Sequence, residues 1–284
     1  MRIVKAIMIG DVVGDPGLDA LEHRLPELIK EYSADFVVVN GENAAAGFGL
    51  TSALLAKIFA AGADVVSTGN HIWEKREFWP VLDSEERIIR PMNYADGSPG
   101  RGWVRLEKPS PWGPPLPWIA VNLQGRDFMS PLDCPFRSFD TFASNIGPMS
   151  ASLHSLLDFN GILPETLQVN PIILVDFHAE STREKESLAY HLDGRVSVVA
   201  GTHTHVQTAD ERLLPKGSAY ITDLGMTGVL DGIIGMDTKI CLDRAKSQVL
   251  YRMEVAPPNG RTAVQGIIAE IDAETRKAVS IKRL

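Results

Sequence analysis

Gly201-Thr202-His203-Thr204-His205 sets two imidazoles two residues apart, directly after an apolar run that reads as a strand. Residues i and i+2 on extended backbone project to the same side, so both rings can reach neighbouring ions. Taken alone, such a pair reads almost as well as two solvated histidines in a loop. Polar residues of ligand type follow other apolar runs too: Asp11 after Ile3–Ile9, Glu42 and Asn43 after Phe36–Val39, Asn70 and His71 after Val65–Ser67, and His178 after Ile172–Phe177. Each has an ordinary reading by itself, as a turn residue, a cap or a satisfied structural histidine. Their recurrence at successive strand ends is harder to assign to accident. Carboxylates, amide oxygens and neutral imidazoles together make a borderline donor set suited to iron, manganese or zinc. Four of the chain's 7 histidines fall in this set and neither of its 2 cysteines does.

The elements that must position these groups alternate. Ile3–Ile9 is a buried strand, and Leu18–Tyr32 has helical spacing through Leu21, Leu25, Leu28 and Ile29, with Pro26 expected to kink it or restart it. Phe36–Val39 and Val65–Ser67 are strands flanking a helix over Thr51–Ala61, for which Thr51 is the N-cap. Strands apolar throughout and alternating with helices indicate an α/β sheet covered on both faces, with ligands in the crevice beyond the strands' carboxyl ends. Between Pro91 and Pro148 the regularity fades. Pro109, Pro111, Pro114, Pro115 and Pro117 are expected to break up a hairpin ahead of the strand Trp118–Leu123. Gln124–Pro164 is mixed, with a short helix near Ser152–Asp158. Regular structure resumes with a helix at Thr182–Leu192, strands at Val196–Ala200 and Ala219–Thr222, and a closing hairpin turning at Asp272-Ala273-Glu274.

The blocks Gly10-Asp11, Gly41-Glu42-Asn43, Gly69-Asn70-His71, His178 and Gly201-Thr202-His203-Thr204-His205 resemble those of the calcineurin-like metallophosphoesterases. Two departures, Val13 where that family has its first histidine and Glu42-Asn43 in place of an aspartate, resemble the YmdB-like branch. Arg90-Pro91-Met92-Asn93-Tyr94, Pro135-Phe136-Arg137 and Asp176-Phe177-His178-Ala179-Glu180 extend the likeness, whereas residues 147–170 match poorly and read as an insertion. The resemblance implies a four-layered α/β/β/α sandwich and a dinuclear centre of iron or manganese. It assigns Asp11, Asn43 and His205 to one ion, and Asn70, His178 and His203 to the other. Glu42 would bridge the two, and His71 would face the substrate as general acid. Two such ions about 3.5–4 Å apart share a bridging water and lower its pKa, so a hydroxide attacks phosphorus in line while His71 protonates the leaving oxygen. The implied substrate is a small phosphate ester, a 2′,3′-cyclic nucleotide.

Composition agrees with this reading. The chain has 284 residues, 44% hydrophobic and 23% charged, suited to a single globular domain over residues 1–284. A formal net charge of −8 repels duplex nucleic acid, so a phosphate must be attracted locally. Only Asp11 and Glu42 among the candidate ligands carry formal negative charge, which leaves a two-cation centre net positive. No stretch approaches the roughly 20 apolar residues of a membrane span. The N-terminal MRIVKAIMIGD has no cleavage signature, and the sparse, unpatterned cysteines suit a reducing cytoplasm. Self-association, as a homo-oligomer, is left open. Arg126 and Arg137 read as solvated, and Phe48 and Trp73 as packing residues more than base-stacking ones. Competing readings are a phosphomonoesterase with the same metals, a regulatory nucleotide- or partner-binding protein with structural metals, and an amidohydrolase-type enzyme. The late position of the His-x-His pair disfavours the last.

Overall fold

Strand β1 (Ile3–Ile9) feeds two cores at once, because its side chains alternate. In the computed structural model, which describes residues 2–146 and 171–284, Val4, Ala6 and Met8 face one way. They meet Trp118, Ile172, Leu174, Val198 and Ile221 from a second sheet. Ile7 and Ile9 face the other way, onto Leu18, Leu21, Leu25 and Leu28 of helix α1 (Gly14–Tyr32). The second sheet repeats the device. Ile119, Val121, Ile173, Val175 and Phe177 turn away from the first sheet to pack on Phe139 and Phe142 of helix α4 (Pro135–Ile146). Leu188, Ala189 and Leu192 of helix α5 (Thr182–Leu192) join them. The order of layers is therefore helix, sheet, sheet, helix, the α/β/β/α sandwich.

The first sheet runs β14-β13-β1-β3-β4, with β3 at Phe36–Asn40, β4 at Val65–Ser67, β13 at Gly266–Asp272 and β14 at Ala278–Arg283. The second runs β5-β6-β7-β8-β10-β9. There β5 is Trp103–Ser110, β6 Gly113–Gln124, β7 Ile172–His178, β8 Val198–Thr202, β9 Arg212–Leu213 and β10 Ala219–Ile221. A small third sheet joins β12 (Thr262–Val264), β11 (Met226–Val229) and β2 (Asp11–Val12). Strands β1, β3 and β4 are mutually parallel, as are β6, β7 and β8, so each set ends at one rim.

The expected coverage of both faces and the implied four-layered sandwich are both observed: each large sheet has helices on one face and the other sheet on its second face. A fully apolar strand is buried on both faces whether a helix or another sheet covers it, so sequence alone does not separate the cases. Helix α1 starts at Gly14 rather than Leu18 and runs through Pro26 without a restart. Pro26 lies on the solvent side, where water can satisfy the carbonyl its ring leaves unbonded. The prolines do not abolish the hairpin either. Strands β5 and β6 pair from Trp103↔Val121 to Ser110↔Gly113, with an irregularity between Lys108 and Ser110. Pro109 lies on the edge strand β5, and Pro114, Pro115 and Pro117 lie on β6 ahead of Trp118, where its pairing with β7 begins, so each has an open side where proline is tolerated. Thr51 does cap helix α2 (Ser52–Ala60), accepting from the Leu54 N–H at 3.4 Å. Asp272 turns the closing hairpin, accepting from the Glu274 N–H at 3.0 Å. Helices α3 (Trp79–Ser84), α4 and α6 (Thr238–Ser247), the last with no buried residue, lie where no helix was expected. The short helix near Ser152–Asp158 and the insertion at 147–170 lie outside the described residues.

Candidate metal centre

The parallel strand ends of both sheets meet at one rim. Asp11 stands in β2 just past the end of β1, Glu42, Asn43, Asn70 and His71 follow β3 and β4 of the first sheet, and the second sheet supplies His178, His203 and His205. Burial there is extreme for charged groups: Asp11, Glu42 and His178 are 0% exposed.

The contacts fall into two groups. In one, His178 Nε2 lies 3.0 Å from Asn70 Oδ1 and 3.0 Å from His203 Nδ1. In the other, His205 Nε2 lies 3.2 Å from Asn43 Nδ2 and 3.8 Å from Asp11 Oδ1. Glu42 stands between them, its Oε1 2.9 Å from His178 Nε2 and 3.4 Å from Asn43 Nδ2. Glu42, His178 and His203 can each bring one donor atom within 4.8 Å of the others.

Each histidine is held by its outward nitrogen. Thr202 Oγ1 donates to Asp176 Oδ1 at 2.6 Å, so it accepts from His178 Nδ1 at 3.0 Å. The carboxylate of Glu180 can only accept from His203 Nε2, at 3.2 Å, and the carbonyl of Ile234 can only accept from His205 Nδ1, at 2.9 Å. The inward nitrogens, His178 Nε2, His203 Nδ1 and His205 Nε2, are thereby turned toward carboxylates, amides and one another, with a proton on His178 Nε2 among them when no metal is bound. Asp11 Oδ1 and Asn43 Oδ1 are buried with no hydrogen-bond partner. Lone pairs converging in a buried space repel unless a cation lies among them, and outer hydrogen bonds of this kind orient metal ligands. The residues present fit metal ions.

Electrostatics among the protein groups agree. Burial disfavours the imidazolium of His178, but the carboxylates of Glu42 and Asp11 outweigh it and hold its pKa up at about 9. Burial likewise opposes the charge on Glu42, yet His178 chiefly brings its pKa down to about 2. Burial and the neighbouring His178 drive His203 down to about 3, so that ring is neutral. Burial raises Asp11 despite His205 and His178.

His71 sits at the edge of this set, half-buried. Its backbone N–H donates to Glu42 Oε2 at 3.2 Å, and its Nδ1 is 3.5 Å from Glu74 Oε1. Phe48 packs edge-on against it at 4.9 Å, while Trp73 packs on Tyr94 and Trp79, as befits packing residues. Val13 lies buried with Met226 and Met236, which explains how the site dispenses with a donor there. Arg126 and Arg137 are exposed.

Three supporting groups escaped the sequence reading. Asp176, 1% exposed, joins the sheets: it accepts from Asn40 Nδ2 at 3.0 Å, Ser67 Oγ at 2.5 Å and Thr202 Oγ1. Burial pushes its carboxyl up to about 6 against His178 and these hydrogen bonds. Its signal was an acid two residues before His178, on the same face of an apolar strand. Lys185 and Asp223 form a buried ion pair at 2.7 Å. Asp223 also accepts from Thr204 Oγ1 at 2.6 Å, between the two loop histidines. His203 and His205 have φ of 97° and 61°, a left-handed backbone that this anchoring sustains. No local pattern announces that pair.

Comparison with known proteins places the chain in a family. The chain is 42% identical over 281 residues to the 2′,3′-cyclic-nucleotide 2′-phosphodiesterase of Bacillus subtilis (strain 168), covering 99% of this chain and 96% of that protein. The crystal structure of a hypothetical protein from Thermus thermophilus superposes with a TM-score of 0.80 at 36% identity, covering 99% of this chain and 98% of that one. The crystal structure of a phosphatase from Mycoplasma pneumoniae superposes with a TM-score of 0.82 at 29% identity, covering 100% and 93%. The family profile described as YmdB-like protein matches residues 7–284, and the chain belongs to that family.

Proposed function

We propose that this chain is a dinuclear-metal phosphodiesterase that opens 2′,3′-cyclic nucleotides at the 2′ oxygen, leaving the nucleoside 3′-phosphate. One observation carries the metal arrangement: the buried Glu42 carboxylate stands between two separate groups of donors. In this reading Asp11, Asn43 and His205 hold one ion, Asn70, His178 and His203 the second, and Glu42 both. Ions of iron or manganese, when bound, supply Lewis-acid neutralisation of phosphate charge and make water acidic enough to serve as nucleophile. The substrate class follows the similarity to the B. subtilis phosphodiesterase.

The protein's own residues do the rest. Glu180, Thr202 and the Ile234 carbonyl orient the imidazoles, so the ligand set is in place before substrate arrives. His71 is the general acid. Glu74 engages its Nδ1, and Nε2 is then the nitrogen that passes a proton to the departing 2′ oxygen. Water adds to phosphorus, the P–O2′ bond breaks, and the 2′ hydroxyl forms. The whole matched length acts as one domain. Among the described residues no helix is long and apolar enough to cross a membrane, and both cysteines are free, which supports a cytoplasmic setting.

The test is elemental analysis of the reconstituted protein alongside hydrolysis of 2′,3′-cyclic AMP and of an aryl phosphate monoester, with and without chelator. Two equivalents of metal and chelator-sensitive release of 3′-AMP are expected. Faster turnover of the monoester would turn the assignment to a phosphomonoesterase. His71→Ala should retain both metals and lose about 10²–10⁴-fold in rate. Full activity in that variant would end the acid role.

A further inference from the structure

Phe128 is 90% exposed and has φ of 65°. A lone exposed apolar side chain is ordinary, but a bulky residue in left-handed backbone is an outlier, and the two together favour neither folding nor solubility. The conformation is held from beneath. Glu184, buried at the start of α5, accepts from the Arg126 N–H at 2.9 Å and the Asp127 N–H at 3.1 Å. Asp127 pairs with Arg183 at 2.8 Å, and the Met129 N–H closes a turn onto the Arg126 carbonyl at 3.2 Å. The ring is thus displayed by a braced loop.

That loop begins at the metal rim. Gln124 pairs in register with His178, and the Gly125 N–H donates to the His178 carbonyl at 3.0 Å. Phe128 lies three positions beyond Gly125, a span of at most about 11 Å. A nucleotide whose phosphate lies at Glu42, His178 and His203 therefore has a flat aromatic face within reach of its base. Arg126, exposed in the same turn, adds positive charge on a protein of net charge −8. Strained backbone sustained by surrounding contacts is a mark of ligand sites.

We infer that Phe128 is a stacking platform for the substrate's nucleobase, making it a specificity-determining residue for nucleosides over base-free phosphate esters. Stacking accepts any base, since every base has a π face, so the platform selects nucleotides without selecting among them. The inference rests on the phosphodiesterase reading only for the choice of ligand.

The test is calorimetric titration of the metal-loaded protein with adenosine 3′-monophosphate and with base-free ribose 3-phosphate. The wild type should bind the nucleotide about tenfold more tightly, within the range that a single stacked base supplies. Phe128→Ala should lose that preference while binding ribose 3-phosphate as before, and Phe128→Trp should keep it. Undiminished nucleotide binding by Phe128→Ala overturns the inference, as does a wild type that binds both ligands equally. A wild type that shows the expected preference but does not hydrolyse cyclic nucleotides would end the proposed reaction and still support the platform.

Discussion

His178 Nε2 and His203 Nδ1 face each other at 3.0 Å, and both rings have committed their other nitrogen elsewhere. With the His178 pKa held up at about 9 and His203 neutral, a proton on His178 Nε2 joins the two nitrogens, and it is this proton that a bound metal ion would displace. Thr202 is the lever on it, since its hydroxyl links His178 Nδ1 to Asp176.

Thr202→Val should therefore weaken metal binding by about 10–100-fold, the usual cost of losing an outer hydrogen bond to a ligand. Competition with a graded series of chelators measures it. Thr202→Ser should restore most of the affinity, and an unchanged Thr202→Val would remove the hydroxyl from the argument.

The His178 pKa near 9 predicts a pH signature in chelator-treated protein. The folded value is raised above the unfolded value of about 6.5. The stability it contributes is fully present below pH 6.5 and lost as pH rises through 9. Denaturant midpoints of the metal-depleted protein should fall across that window, and those of His178→Asn should not. Loading metal at pH 7.5 should release a proton, readable in a weakly buffered solution with a pH dye.

Breaking the Lys185–Asp223 pair should cost more than removing it. Lys185→Met strands a carboxylate in the interior, which typically costs about 3–5 kcal/mol. Lys185→Met with Asp223→Asn should recover part of that stability in urea denaturation. Because that variant lacks the Asp223 carboxylate that holds Thr204, it should bind metal poorly even where its stability recovers. Equal stability of the single and double variants would refute the stranded-charge account.

Gly69→Ala tests the packing of the centre itself. A Cβ at Gly69 would run into the His178 ring and the Glu42 carboxylate. Metal content should drop sharply while the circular dichroism spectrum stays close to that of the wild type. A fully loaded Gly69→Ala protein would show that these side chains can move aside.

Much of the candidate site was readable because its proposed ligands are local events. Asp11, Glu42, Asn43, Asn70, His178, His203 and His205 each stand just beyond or at the end of an apolar run, and parallel strands bring such ends to one edge. Asp176, Lys185 and Asp223 were not readable. Their partners lie 19 to 136 positions away, and beyond the place of Asp176 two residues before His178 in an apolar strand, nothing local marks them as buried. Helix α6 was missed for the opposite reason: it buries nothing, so it carries no apolar stripe.

By itself the amino-acid order determined most of the long strands, because short runs apolar throughout are stable only when both faces are covered, and it determined which donor-type side chains stand at their ends. Only the tertiary structure decided that two sheets face one another, that Glu42 falls between two groups of donors, and that Phe128 stands clear of both. Those outcomes depend on contacts between segments far apart along the chain, whose free energies no short window of residues contains.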